Sequence, residues 1–335
     1  MSVMSNAEDL ATRALHEAVK KQQLDLVSSL LSIPNGIDVN GRDGYGMTAL
    51  MWAAGRGYRE IASILVHRGA EIEARNELLS VHSIEKLETG KGSFWAGDDR
   101  LGVLHAKKHH GWTALIWAAR NGQSDFIAFL LDNGADVNTI TKDGFTALAH
   151  TLDNKHRETA HLLLERGADP SLVEDDCSPA LSFAASHGFT DLVQTILDQG
   201  GDINSLDNWG HNALCNAVVK NQVEVLELLL RRGLDANATC PGLGEWPPLY
   251  LAAENDALES AEILMAYGAD INFSVDENGA TALQQALDEM VGPRVARPLI
   301  ERGADLRGAL ERAEDYKHLE EAGELISLLK DRAGS

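Results

Sequence analysis

A chain of 335 residues with a formal net charge of −22 and three cysteines already excludes several functions. Such acidity repels phosphate backbones, which argues against nucleic acid as a ligand, and no apolar run approaches the roughly 18 residues that cross a bilayer. Cys177, Cys215 and Cys240 fit neither a disulfide framework nor a close-spaced zinc site, so a reduced compartment is expected. The first residues, MSVMSNAEDL, show no charged segment leading into an apolar one. No signal peptide is expected, which places the chain in the cytoplasm or the nucleus.

In chain order, residues 7–40 read as a helix–turn–helix unit with a polar start, suited to an N-terminal cap. Residues 41–75 are a second unit, 77–108 are extra sequence, and 109–305 hold six more units in close register. The clearest of these, 110–138, shows how the pattern works. Gly111 opens a turn and Thr113-Ala114-Leu115 starts a short helix through Ala118 and Ala119. Asn121-Gly122 ends it, and Phe126, Ile127, Phe129, Leu130 and Leu131 give a second helix its apolar stripe, which Gly134-Ala135-Asp136 stops. A unit this small cannot bury its own stripe, so it must stack on neighbours like itself. Residues 306–335, with Leu325, Ile326, Leu328 and Leu329 among charges, read as a C-terminal capping segment. Pro293 suits a first helical turn, whereas Pro298 is expected to kink or delay its helix.

The repetition is measurable. A leucine recurs at Leu15, Leu50, Leu115, Leu148, Leu181, Leu214, Leu249 and Leu283, with gaps of 35, 65, 33, 33, 33, 35 and 34. The glycine that closes the second helix recurs at Gly36, Gly69, Gly134, Gly167, Gly200, Gly233, Gly268 and Gly303, with gaps of 33, 65, 33, 33, 33, 35 and 35. Two independent markers share one period and one outlier.

Thr48-Ala49-Leu50-Met51-Trp52-Ala53-Ala54, Thr113-Ala114-Leu115-Ile116-Trp117-Ala118-Ala119 and the endings Gly134-Ala135-Asp136-Val137-Asn138, Gly167-Ala168-Asp169-Pro170 and Gly268-Ala269-Asp270-Ile271-Asn272 resemble those of the ankyrin-repeat family over nearly the whole chain. The resemblance implies an all-α solenoid of stacked helix pairs with finger loops: eight repeats over 7–305, a finger insertion at 77–108 and a cap at 306–335. The family's His after the leucine survives only as His16, and its Thr is replaced by Pro179, Asn212 and Pro247. These losses are expected to remove hydrogen bonds at the turn into the first helix.

The same resemblance implies a concave binding face built from finger tips and the exposed ends of first helices. The finger positions are Tyr45, Met47, His110, Trp112, Phe145, Asp176, Trp209, His211 and Trp246. The helix positions include Arg56, Arg120, Asn121, Asp153, His187, Lys220, Glu254, Asp288 and Glu289. Large aromatics there either offer contact area to a partner or pack on the neighbouring finger. Trp52 and Trp117 fall where the family is apolar and are assigned to the core. The insertion lacks a helix–turn–helix pattern, and Phe94-Trp95 would anchor it to a partner, unless it is an unstructured ornament. His105 and His109 stand at the i,i+4 spacing that a helix would place on one face, but no helix is predicted there and no Cys or suitably spaced carboxylate completes a metal site, so these two, with His82 and His110, read as solvated.

Charge is unevenly placed. From Gly167 to Pro293 there are 21 acidic residues against Lys220, Arg231 and Arg232, a net of −18. A basic partner fits that field, although solubility alone would also explain it. The reading is a protein–protein interaction scaffold without cofactor or membrane partner: an adaptor, an inhibitor or an immunity-type protein that binds a partner of basic charge in its groove. The alternative is an enzyme with a site grafted around His187 and His211, with Asp153, Asp176 or Cys215 nearby, but no catalytic motif fixes such a geometry.

Overall fold

A computed structural model describes residues 2–33, 37–76, 111–172, 178–274, 280–288, 293–318 and 320–333. The insertion, with Phe94, Trp95 and His110, and the positions Asp176 and Glu289 lie outside the described residues. The chain divides into two compact units, Met1–Cys177 and Ser178–Ser335. The described residues form α-helices joined by turns, with isolated bridges and no strand among them.

The described residues of the first unit form four helix pairs: α1 (Ser2–Lys20) with α2 (Leu24–Leu31), α3 (Ala49–Arg56) with α4 (Arg59–His67), α5 (Ala114–Arg120) with α6 (Ser124–Asp132), and α7 (Ala147–Asp153) with α8 (Arg157–Glu165). The second unit contains α9 (Ala180–Ser186) with α10 (Thr190–Asp198), α11 (Ala213–Val219) with α12 (Val223–Arg231), α13 (Pro248–Glu254) with α14 (Leu258–Ala266), and α15 (Ala282–Leu287) with α16 (Pro293–Glu301). It ends in α17 (Ala309–Asp315) and α18 (Glu320–Ala333). The C-terminal segment holds this helix pair, and it buries Leu325 and Leu329.

Helices of seven to nine residues are marginal alone and persist through packing. The first helices supply small residues, Ala53, Ala54, Ala118 and Ala119 among them, all fully buried, so that α3 packs closely on α5. The second helices bury longer side chains, such as Ile61 and Leu65 on α4 or Leu226 and Leu229 on α12. Gly134 ends α6 with φ +93°, a left-handed conformation that favours glycine, and Gly69, Gly167, Gly200, Gly233, Gly268 and Gly303 adopt it in their repeats. Asn40 shows why the ending carries Asn. Its side-chain oxygen accepts the Glu71 N–H at 2.8 Å and its nitrogen donates to the Gly69 carbonyl at 3.2 Å, tying one repeat to the next.

Three expectations change. Asn212 does not remove the turn's hydrogen bond, because its side-chain oxygen accepts the Cys215 N–H at 2.8 Å and caps α11. Pro179 and Pro247 do lack a side-chain cap. Helix α16 runs through Pro298, which is buried within it. Finally, Cys215 and Cys240 are joined by a disulfide, with Cα atoms 6.4 Å apart and both residues fully buried. Their 25-residue separation hides the pairing, since only stacking brings the start of α11 beside the next finger. The case for a reduced compartment loses the support it drew from unpaired cysteines.

The insertion leaves the stacking of its flanking repeats intact. The Asn76 N–H donates to the Trp112 carbonyl and the Gly111 N–H to the Asn76 carbonyl, each at 3.0 Å. The Asn76 side chain also accepts the Trp112 N–H at 2.6 Å, so residues 77–110 leave and return through one closed hairpin base.

Candidate functional site

Two fingers are built on the same aspartate. In the first unit, Asp43 Oδ1 accepts the N–H groups of Tyr45 and Met47 at 2.9 and 3.1 Å. In the second, Asp207 Oδ1 accepts those of Trp209 and His211 at 2.9 and 2.8 Å. A carboxylate that accepts two backbone donors fixes the turn and the backbone of both donor residues.

The two fingers differ in what the other carboxylate oxygen holds. Asp43 Oδ2 accepts the Trp52 indole N–H at 2.7 Å and the Lys20 ammonium at 3.2 Å. That ammonium lies 4.3 Å from the Trp52 ring centroid and 5.8 Å from the Tyr45 ring centroid, so Tyr45 is half-buried against its own chain. Arg56 donates to the Lys20 carbonyl at 3.3 Å and supports the same cluster. Asp207 Oδ2 accepts the Asn216 amide at 2.9 Å and lies 3.7 Å from His211 Nδ1. Trp209 is 65 % exposed, its ring stacked 6.4 Å from that of His211, with Leu206 exposed beside it.

Trp112 is a correction. At 1 % exposure it offers no surface to a partner. Its ring packs 4.8 Å from Trp117 and 4.5 Å from His150, with the Arg120 guanidinium 5.6 Å away and Phe145 5.3 Å from His150. The aromatic ring is large enough to fill the gap between adjacent fingers, so packing wins over exposure. Trp52 is buried as expected, whereas Trp117 is half-buried. Burial lowers the Arg120 pKa, opposed by the carboxylate of exposed Asp153.

The remaining positions spread out. Asn121 is exposed, with its amide on the Trp117 carbonyl at 2.8 Å. His187 is half-buried near Phe189, with ring centroids 5.8 Å apart. Trp246 is half-buried against Tyr250 at 4.9 Å. The grafted-enzyme reading loses its thiol, because Cys215 is bonded to Cys240 and no longer a nucleophile. Lys20, Asp43, Asp207 and Asn216 were missed from sequence, although Asp at seven residues before the leucine, with an aromatic two residues on, recurs in both fingers. No group of three or more metal-ligating side chains is found among the described residues. No helix among them is long and apolar enough to cross a membrane.

Comparison with known proteins agrees with this architecture. A family model described as ankyrin repeats matches in three copies, over residues 3–76, 97–174 and 172–240. Palmitoyltransferase AKR1 of Lachancea kluyveri is 34% identical over 137 residues, 39% of this chain and 18% of that protein. A mitochondrial disaggregase of Bos taurus is 34% identical over 132 residues, 37% of this chain and again 18% of that protein. The human ASB11 ankyrin repeat domain superposes with a TM-score of 0.57 at 21% identity, over 77% of this chain and 99% of that domain. The Bcl-3 ankyrin repeat domain superposes at 0.56 and 24% identity, over 75% and 97%. Those two likenesses establish the fold, and repeats of this kind are in general protein–protein interaction modules. Matched by the family model over more than half of its length, the chain belongs to the ankyrin-repeat family.

Proposed function

We propose that this chain is a protein-binding scaffold that receives a basic partner on the finger and first-helix face of its second unit. The observation that carries the reading is Trp209, 65 % exposed on a finger that Asp207 holds rigid. An exposed indole on a fixed backbone gives a partner large contact area at small entropic cost. The stretch around it, from Gly167 to Pro293, carries 21 acidic residues against three basic ones, a field that attracts cationic proteins and speeds their encounter. An adaptor, an inhibitor or an immunity-type protein would each use such a face.

Affinity capture from the native source, with wild type and Trp209→Ala side by side, tests this reading. The expected partner is basic, is lost from the variant, and associates more slowly as ionic strength rises. Equal capture by both proteins, or a salt-independent association rate, overturns it.

A further inference from the structure

The first unit shows what its own finger binds, and the second unit lacks it. Counting from the repeat leucines, Asp43 corresponds to Asp207, Tyr45 to Trp209, Trp52 to Asn216, and Lys20 of the preceding repeat to Ser186. In the first unit the Lys20 ammonium fills the space between the aspartate and the aromatic finger residue, 3.2 Å from Asp43 Oδ2. The side chains of Lys20 and Asp43 are only 10% and 8% exposed there, so the pair is well shielded from water. In the second unit Ser186 is too short to reach this space, and its hydroxyl turns back to the Phe183 carbonyl at 3.0 Å.

We infer that the space bounded by Ser186, Asp207, Trp209, His211 and Asn216 receives a lysine side chain of the partner, in the position that Lys20 fills in the first unit. This rests on the reading above that the partner is basic. The surroundings suit an ammonium group. The Asp207 side chain is 3% exposed, and the side chain that faces its carboxylate at 3.7 Å is His211, itself 19% exposed. Asn216 spends its N–H on Asp207, which leaves its carbonyl oxygen as an acceptor. Trp209 adds an exposed π face, and indole is the strongest aromatic partner for a cation. Burying an ammonium is unfavourable without a counter-charge and acceptors, and this site supplies both. Lysine fits the slot better than arginine because the occupant in the first unit is a single compact ammonium on a four-carbon stem.

The test uses the full chain and a fluorescein-labelled peptide of alternating glycine and lysine, with its lysine-to-glutamine counterpart as a blank, at low ionic strength. Ser186→Lys supplies the missing ammonium from the protein's own chain. It is expected to fill the slot and weaken peptide binding at least 10-fold, as is Trp209→Ala. Asn204→Lys adds the same charge on the exposed turn before the finger and is expected to change binding less than 2-fold. If wild type binds the lysine peptide but Ser186→Lys behaves like Asn204→Lys, the slot is overturned while the acidic surface stands. If wild type does not discriminate the lysine peptide from its glutamine counterpart, the slot and the basic-partner reading both fall. Thermal unfolding of Ser186→Lys at or above the wild-type midpoint shows that lost binding reflects occupancy and not damage.

Discussion

The carboxamide of Asn138 straddles the start of the next repeat ending: its oxygen accepts the Asp169 N–H at 2.8 Å and its nitrogen donates to the Gly167 carbonyl at 3.4 Å. Asn237 repeats the arrangement in the second unit, on Asp270 and Gly268 at 2.7 and 3.3 Å. One short side chain thereby satisfies two backbone groups of a neighbour. Asn138→Ala is expected to lower stability by about 1–2 kcal/mol, the range for losing such bonds at a partly shielded site. Urea unfolding should show an earlier midpoint with an unchanged slope, and an unchanged midpoint would deny the clamp any energetic role.

Two finger tryptophans, one buried and one exposed, should separate stability from binding. Trp112→Ala empties a packed space and is expected to cost about 3–5 kcal/mol. Trp209→Ala removes an exposed ring and should stay within about 0.5 kcal/mol of wild type while losing the partner. Melting curves of the two variants, read beside capture, would refute the assignment if their effects were reversed.

The bond between Cys215 and Cys240 leaves one of the three cysteines, Cys177, as the thiol that a denatured, unreduced chain should expose. Closing a 25-residue separation restricts the unfolded chain, a stabilisation of about 3 kcal/mol. Cys240→Ala is therefore expected to unfold the second unit at lower denaturant, by an amount that reductant reproduces in wild type. A count of three free thiols per denatured chain would exclude the bond.

Burial raises the Glu254 pKa above the ordinary carboxylate value. A raised acid pKa means that the folded state holds the proton more tightly. The associated stability is present below the unfolded pKa of about 4.3 and is lost as pH rises through the folded value. Glu254→Gln should thus melt higher than wild type at pH 7, with the gap closing on acidification toward the unfolded carboxylate pKa. A gap that widens on acidification would contradict the burial.

The repeat was legible because it is written in local chemistry. The leucine and glycine markers, the Ala-rich first helices and the Gly-Ala-Asp-X-Asn endings each reflect a contact that every unit must make with the next. The exposure of individual finger residues was not legible in the same way. Trp112 and Trp209 both sit on fingers, three and five residues before their repeat leucines, yet Trp112 has Trp117, His150 and Arg120 around it, whereas Trp209 stands largely exposed with His211 stacked beside it. That outcome depends in part on the adjacent repeat, which brings in His150 from 38 residues further along the chain. The Cys215–Cys240 bond escaped for the same reason, since no spacing rule anticipates a partner brought in by stacking.

The hairpin base closed by Asn76, Gly111 and Trp112 has a thermodynamic meaning for how this chain tolerates change. Between Leu50 and Leu115 the connection is 65 residues, about twice the usual 33. Once that base is closed, each further doubling of the 34 residues between Asn76 and Gly111 adds only about 0.6 kcal/mol of closure entropy. Foreign sequence spliced at this port therefore asks almost nothing of the repeats on either side. The segment can drift, lengthen or be exchanged under selection for what it touches, while the scaffold that carries it stays under selection only for standing.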